Sequence, residues 1–246
     1  MASAACSWIV TPRPDPGARV RLFCFPYAGG GASVFYPWAR GLPAGVEVCA
    51  VQLPGREARL REAPIADWDV LLARLSEALA PFMDRPFALY GHSLGAAVAF
   101  ELARRLRRDG RPPPFHLFVS GHRAPHCPAE GPELHALPDD QLIAGLRRLS
   151  GTPEEVLQHA EILALLLPLL RADFALAERY EWRPEPPLPI PITAYSGADD
   201  EHVPVEGVEA WREHTSARFR HLTLPGGHFF PQQSRAQLLA DIARAL

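Results

Sequence analysis

Short runs of apolar residues recur along the chain, and between them apolar residues repeat at intervals of three and four. The short runs predict buried strands, at residues 20–25, 46–53, 87–90, 115–120, 190–195 and 221–224. The wider spacing predicts helices, at residues 68–83, 96–103, 207–214 and 234–246, the last of them capped by Ser234. Strands that alternate with helices indicate a mostly parallel sheet with helices on both faces.

The alternation is interrupted between residues 122 and 188, where helical patterns replace strands. Helices are predicted at 139–149, 153–159 and 161–180, and residues 162–170 are apolar on nearly every side. A helix of that kind needs a cover of protein or ligand. Two interpretations stay open: an ordinary core helix, or an inserted helical lid with an apolar underside that gates water from an active site.

The candidate nucleophile lies in the segment Gly91-His92-Ser93-Leu94-Gly95, between the apolar run at 87–90 and an alanine-rich helix. A strand, a sharp turn and a helix form the context in which G-x-S-x-G presents a nucleophilic serine. Gly91 and Gly95 lack a Cβ and so leave room for the strained turn. The pattern predicts Ser93 as the nucleophile, flanked by His92. The alternative is a glycine-rich turn in which Ser93 only caps the helix.

A second glycine-rich loop, with three consecutive glycines from Gly29 to Gly31, follows the first apolar run. It lacks the lysine and the spacing of a phosphate-binding P-loop. In enzymes with a nucleophile elbow, a loop after an early strand supplies one N–H group of the oxyanion hole, and the residue after the nucleophile supplies the other. We therefore assign these donors to Ala28 and Leu94. A plain glycine loop is the alternative.

A nucleophilic serine needs a base, and the base needs an acid that orients it. In this type of enzyme the chain order is serine, acid, histidine, each on a loop that follows a strand. His228 alone among the ten histidines follows the last predicted strand on a glycine-rich turn. The acid is expected after the strand at 190–195, where Asp199 and Asp200 both qualify, and spacing does not separate them.

Composition sets broad limits on function. The chain has 246 residues, a net charge of -3 and 25 basic residues that are all arginine, so its overall charge does not favour nucleic acid or an anionic membrane as a partner. Its cysteines show no C-x-x-C spacing, and free thiols in a reducing cytoplasm are expected; they are Cys6, Cys24, Cys49 and Cys127. Residues 1–11 do not resemble a signal peptide. No apolar stretch is long enough to span a membrane, and no cluster has metal-ligand spacing.

Four segments together resemble the signature blocks of type II thioesterases, free-standing α/β-hydrolases that accompany polyketide synthases and nonribosomal peptide synthetases. The resemblance covers almost the whole chain, and the blocks occur in the family's order. The first, second and last blocks are the specific ones. The segments are Phe25-Pro26-Tyr27-Ala28-Gly29-Gly30, Gln52-Leu53-Pro54-Gly55-Arg56-Glu57, Gly91-His92-Ser93-Leu94-Gly95-Ala96 and Gly226-Gly227-His228-Phe229-Phe230.

The resemblance implies a single α/β-hydrolase domain over residues 1–246, with a helical lid insertion at about 122–188. It favours Asp200 as the acid, because the family's Gly-x-x-Asp pattern followed by valine matches Gly197, Asp200 and Val203. It implies that Ser93, Asp200 and His228 are the catalytic residues of a thioesterase without metal or cofactor. The residues expected to contact the substrate are Tyr27, Gly29, Leu166 and Phe229.

The implied substrates are acyl groups on the phosphopantetheine arm of an acyl carrier protein or peptidyl carrier protein, and the implied role is removal of stalled or wrong acyl groups. We expect a cytoplasmic monomer. A carboxylesterase or lipase with the same triad is the nearest alternative, and a catalytically inactive carrier-binding module is the alternative of another class. A macrocyclising terminal domain is less expected, because the chain begins and ends as a lone domain.

Four arginines after the elbow suggest a docking surface for the carrier. If the helix continues to residue 111, these side chains share one face with a net positive charge, which could attract an acidic carrier protein. The alternative is a solvated helix face in a protein whose only basic residues, histidine aside, are arginines. The arginines are Arg104, Arg107, Arg108 and Arg111.

Overall fold

The computed structural model describes residues 8–128, 133–149 and 151–246, and Cys6 lies outside them. Its centre is a seven-stranded sheet with the order β1-β3-β2-β4-β5-β6-β7. The strands are β1 (Ile9–Val10), β2 (Val20–Phe25), β3 (Val46–Val51), β4 (Phe87–His92), β5 (His116–Ser120), β6 (Ile192–Gly197) and β7 (Phe219–Leu224). β1 pairs antiparallel with β3, and all other neighbours are parallel. The mostly parallel sheet predicted from the sequence is confirmed.

Helices connect the strands and cover both faces of the sheet. They are α1 (Trp38–Gly41), α2 (Trp68–Leu79), α3 (Leu94–Arg108), α4 (Asp139–Leu149), α5 (Glu154–Leu157), α6 (Ala160–Glu178), α7 (Val205–Glu209), α8 (Phe230–Gln233) and α9 (Arg235–Ala245). The helix predicted at 207–214 is instead the short α7 followed by a 3-10 turn. Ser234 precedes α9, but its hydroxyl donates to the Pro225 carbonyl and does not cap the helix.

The two faces of the sheet bury two separate hydrophobic clusters. Side chains alternate along a strand, so Phe23 and Leu89 point to one cluster while Leu22 and Ala88 point to the other. The first cluster packs against α2 and α3, and the second packs against α1 and α9. The strands are apolar on both sides because both faces are covered, which is why they appear in the sequence as continuous apolar runs.

Helices α4, α5 and α6 lie between β5 and β6 and form a third hydrophobic cluster, in which Leu142, Leu157 and Leu163 are buried. Toward its C-terminal end α6 also enters the main core through Leu176. The expectation that residues 162–170 are covered on nearly every side is wrong in part, because the side chain of Leu165 is 60% exposed. No helix in the three described ranges has the length and apolar character needed to cross a membrane.

The docking prediction depended on a helix that continues to residue 111, and that condition is wrong because α3 ends at Arg108. The arginines of α3 are also held in ion pairs. Arg104 is buried and bonds Glu101 and Glu185. Arg107 and Arg108 also form ion pairs with Glu185. Glu185 lies on the proline-rich return, residues 184–191, which leads to β6. These contacts fasten the return segment to α3. Arg111, the fourth arginine of the predicted docking surface, lies after the end of α3. Its guanidinium donates to the carbonyl of Ser76 on α2.

Candidate active site

A strained turn between β4 and α3 presents Ser93. Its backbone has φ 53° and ψ -124°, a conformation that residues with side chains rarely adopt. A Cβ on Gly91 would lie 2.0 Å from the carbonyl oxygen of Gly95, and one on Gly95 would lie 2.2 Å from that of Phe25. Both glycines are therefore required by close packing. The Ser93 side chain makes no capping bond to α3, so the alternative of a helix-capping serine is not supported.

The structure brings Ser93, His228 and Asp200 into one hydrogen-bonded row. The Oγ of Ser93 lies 3.1 Å from Nε2 of His228, and Nδ1 of the same ring lies 2.9 Å from Oδ2 of Asp200. The other Asp200 oxygen accepts the backbone N–H of His202 at 2.9 Å. Asp199, the other acid left open by the sequence, uses its backbone N–H to bond the carbonyl of Gly226.

Electrostatics favour one protonation pattern along this row. The carboxylate of Asp200 has a side chain only 1% exposed, and burial opposes its charged form. Hydrogen bonds from His228 and from the backbone of His202, together with the charge these histidines carry when protonated, outweigh burial and hold the pKa of Asp200 below its usual value. An ionised Asp200 only accepts hydrogen bonds, so Nδ1 of His228 carries the proton. Nε2 is then free to accept the hydroxyl proton of Ser93.

The glycine-rich loop after β2 forms a tight turn beside Ser93. The N–H of Gly30 donates to the carbonyl of Tyr27 at 2.9 Å, and Gly29 has φ 79°. A positive φ at the third position is the mark of a type II turn. Within the described residues, the N–H of Ala28 donates to no protein acceptor. The N–H of Leu94 belongs to the first turn of α3, where N–H groups have no acceptor within the helix.

A cavity of about 180 Å³ adjoins this turn. Three of the residues predicted to contact substrate line it, namely Tyr27, Gly29 and Leu166, and Leu170 and Val156 complete its apolar wall. The fourth, Phe229, packs edge-on against Tyr27 with ring centroids 5.0 Å apart. The arrangement places an apolar cavity beside the candidate oxyanion donor.

His92 has a closer relation to the site than its predicted flanking position suggested. Its ring lies 5.2 Å from that of His228, its Nδ1 lies 3.0 Å from Oγ of Ser120, and its buried Nε2 has no protein partner among the described residues. Burial, assisted by the nearby charge of His228, lowers the pKa of His92 to about 3. A neutral His92 adds no second positive charge when His228 takes up a proton.

Two polar residues near the site were not predicted to have a role of their own. Asp173 of α6 and Arg56 of the second signature block form a buried ion pair against the glycine-rich loop. No local signal singles out Asp173, because the same helix also contains Glu161, Arg171 and Glu178. Within the described ranges, no three histidine, cysteine or acidic side chains are grouped so that they could hold a metal ion.

Comparison with known proteins gives a consistent result. The family model described as "Thioesterase domain" matches residues 20–246. The gramicidin S biosynthesis protein GrsT of Aneurinibacillus migulanus is 44% identical over 239 residues, which is 97% of this chain and 93% of GrsT.

Two solved structures show the same similarity. The type II thioesterase BorB from the borrelidin biosynthetic cluster is 41% identical with a TM-score of 0.88, and the match covers 98% of each chain. YbtT, a type II thioesterase from the yersiniabactin NRPS/PKS pathway, is 32% identical with a TM-score of 0.87, covering 96% of this chain and 97% of YbtT. These structures confirm the predicted α/β-hydrolase fold.

Proposed function

The chain belongs to the thioesterase domain family, whose members of this type are thioester hydrolases, and from that premise we propose that it removes acyl groups from the phosphopantetheine arms of carrier proteins. The observation that carries the proposal is the hydrogen-bonded row from Ser93 through His228 to Asp200, and the apolar cavity beside Ala28 adds to it. Relatives from NRPS and PKS pathways support the carrier protein as partner. The role proposed here is the editing of wrong acyl groups.

In the acylation step, Nε2 of His228 takes the proton of Ser93 as its Oγ attacks the thioester carbonyl carbon. The electron pair of the carbonyl moves to oxygen, and the N–H groups of Ala28 and Leu94 stabilise that oxyanion. When the oxyanion collapses, the carbon–sulfur bond breaks. The imidazolium of His228 returns its proton to the sulfur, and the carrier's phosphopantetheine thiol leaves.

In the deacylation step, a water molecule replaces the thiol. His228 takes one of its protons while the water oxygen attacks the ester carbonyl carbon of acyl-Ser93, and the same two N–H groups stabilise the second oxyanion. The bond between carbon and Oγ breaks, His228 returns the proton to Ser93, and the free acid leaves. Asp200 stays ionised throughout and fixes the orientation of His228.

We propose further that the helical segment at about 122–188 acts as a lid within a single domain. Helices α4 to α6 have a hydrophobic cluster of their own, and Leu166 and Leu170 on α6 face the cavity beside Ala28. Because only the C-terminal end of α6 enters the main core, α4, α5 and the first part of α6 can shift while the sheet stays fixed. Its apolar inner surface supports an acyl chain as the group that is bound.

The decisive experiment compares matched substrates. The purified protein is given one acyl group as a carrier-bound thioester, as a pantetheine thioester and as an oxygen ester of similar size. We expect kcat/KM to be highest for the carrier-bound thioester. A preference for the oxygen ester would favour the carboxylesterase alternative, and carrier binding without turnover would favour the non-catalytic binding module.

A further inference from the structure

The second signature block has no part in the mechanism above, yet it contains an arginine that is almost completely buried. Arg56 lies after β3 and is paired with Asp173 on α6, which is 117 residues away in the sequence. Two parallel bonds join them, from Nη1 to Oδ2 at 2.8 Å and from Nη2 to Oδ1 at 2.9 Å. The side chains are 4% and 0% exposed.

Each member of the pair also bonds the backbone of the glycine-rich loop. Oδ2 of Asp173 accepts the N–H of Gly29 at 2.7 Å, and Nη1 of Arg56 donates to the carbonyl of Gly30 at 3.1 Å. The pair therefore contacts the turn from Tyr27 to Gly30 at two adjacent residues. The neighbouring Gln52 adds a third anchor, because its side-chain oxygen accepts the N–H of Ala32 at 2.8 Å.

The bond to Gly29 has a specific consequence for the turn. Type I and type II turns differ in the direction of their central peptide, which here joins Ala28 to Gly29. With Gly29 at φ 79°, the central N–H points at Asp173, so the carboxylate favours the type II form. Flipping this peptide would change ψ of Ala28 and φ of Gly29 and would point a carbonyl oxygen at the carboxylate.

Stability alone does not explain a buried ion pair in this place. Removing two charges from water costs free energy, and apolar side chains of similar volume often stabilise a protein equally well. What apolar side chains cannot supply is an acceptor for the Gly29 N–H and a donor for the Gly30 carbonyl. The pair's distinctive contribution is the fixed geometry of the loop.

We propose that Arg56 and Asp173 are positioning residues for the oxyanion hole. They hold the turn so that the N–H of Ala28 points toward the carbonyl oxygen of the substrate, and they fasten helix α6 to that turn. Movement of α6 thereby alters the donor that stabilises the transition state. The inference rests on the proposed function, because it gives Ala28 the role assigned there.

The first test replaces the carboxylate by an amide of the same shape, in Asp173→Asn. We expect kcat for an acyl-pantetheine thioester to fall by about 10- to 100-fold, because a small displacement of an oxyanion donor weakens transition-state stabilisation. KM should change by less than about threefold, since the substrate's ground state depends little on that donor.

A transition-state analogue separates positioning from a general loss of folding. A trifluoromethyl ketone that carries the same acyl chain adds to Ser93 and presents an oxyanion to the hole. Its inhibition constant should rise by the same factor by which kcat/KM falls. The matched control is Glu47→Gln, which breaks the buried pair of Arg21 and Glu47 near the amino ends of β2 and β3. That variant should lose thermal stability and keep kcat within about twofold at a temperature below its unfolding.

A second variant tests the inference independently, in case Asp173→Asn does not fold. The double substitution Arg56→Met with Asp173→Leu leaves no unpaired buried charge, and we expect it to fold and to show the same loss of kcat. Two outcomes with an active wild type overturn the inference and leave the proposed function standing. In the first, both variants keep kcat within about twofold. In the second, they lose kcat but bind the ketone as tightly as wild type does. An inactive wild type overturns both the inference and the proposed function.

Discussion

At the scale of single residues, Asp199 and Asp200 are adjacent and chemically identical, and only their surroundings distinguish them. The side chain of Asp200 is buried against His228, whereas Asp199 contributes a backbone N–H to the loop after β7. Adjacent residues in a loop point in different directions, so the loop conformation selects one carboxylate. Spacing in the sequence did not contain that information, and the family pattern with Gly197 and Val203 supplied it.

We predict unequal effects when these two carboxylates are changed to amides. Asp200→Asn should lower kcat by about 10³- to 10⁴-fold, because an amide stabilises neither the required tautomer of His228 nor its protonated form. Asp199→Asn is the matched control and should keep kcat within about threefold. Steady-state kinetics on an acyl-pantetheine thioester make the comparison. Equal losses, or a larger loss at Asp199, would mean that the acid is misassigned.

The residues that could be predicted carry local signals, and those that were missed do not. Ser93 is marked by its flanking glycines, and His228 by a glycine-rich turn after the last strand. Asp173 accepts a hydrogen bond from Gly29, which lies 144 residues away. Such a contact depends on the packing of α6 over the sheet, and no local pattern around Asp173 indicates it.

At the scale of elements, strands buried on both faces were predictable because their apolar runs are uninterrupted. β1 was not, since it has two residues, Ile9 and Val10. The character of α6 was predicted only in part. Its sequence is apolar on nearly every side, but the structure leaves Leu165 exposed while Leu166 lines the cavity. Hydrophobicity alone does not tell which side of such a helix faces a ligand.

Leu166 and Leu165 therefore provide a matched pair for testing the cavity. Leu166→Asp should reduce kcat/KM for an octanoyl thioester by at least about tenfold more than for an acetyl thioester, because a carboxylate opposes burial of a long acyl chain. Leu165→Asp adds the same charge on the exposed side and should reduce both alike and only slightly. If Leu166→Asp lowers the two rates equally together with the melting temperature, α6 is a plain core helix.

The ion pairs between Glu185 and the arginines of α3 are expected to make the stability of the protein depend on pH. Burial opposes the charged form of Glu185, but hydrogen bonds from Arg107 and Arg104 outweigh it and lower its pKa to about 2. A carboxylate with a lowered pKa stabilises the folded state fully above its usual pKa, and this contribution disappears as the pH falls toward 2.

Urea unfolding of wild type and Glu185→Gln between pH 7 and pH 3 tests this expectation. The free energy of unfolding of wild type should exceed that of the variant by about 1 to 3 kcal/mol at pH 7. The difference should shrink as the pH falls below the usual glutamate pKa of 4.5. Glu181→Gln changes an exposed carboxylate nearby and serves as control. A difference that does not vary with pH would contradict the assignment.

At the scale of the whole molecule, the parallel sheet explains why distant residues meet. Ser93, Asp200 and His228 follow β4, β6 and β7, and the loop with Ala28 follows β2. Parallel strands end at the same edge of the sheet, and ligands bind beyond their carboxyl ends. The chain order of the candidate triad was therefore predictable. The pairing of the α3 arginines with Glu185 was not, because it depends on how the return segment crosses the helix.

The most direct measurement is the turnover of an acetylated carrier protein by wild type and by Ser93→Ala at equal concentrations. The account predicts that wild type releases acetate and free carrier thiol in equal amounts. It predicts that Ser93→Ala loses at least about 10³-fold in rate with an unchanged melting temperature. A correctly folded Ser93→Ala variant whose rate stays within about tenfold of wild type would contradict the central claim that Ser93 is the nucleophile of a thioesterase.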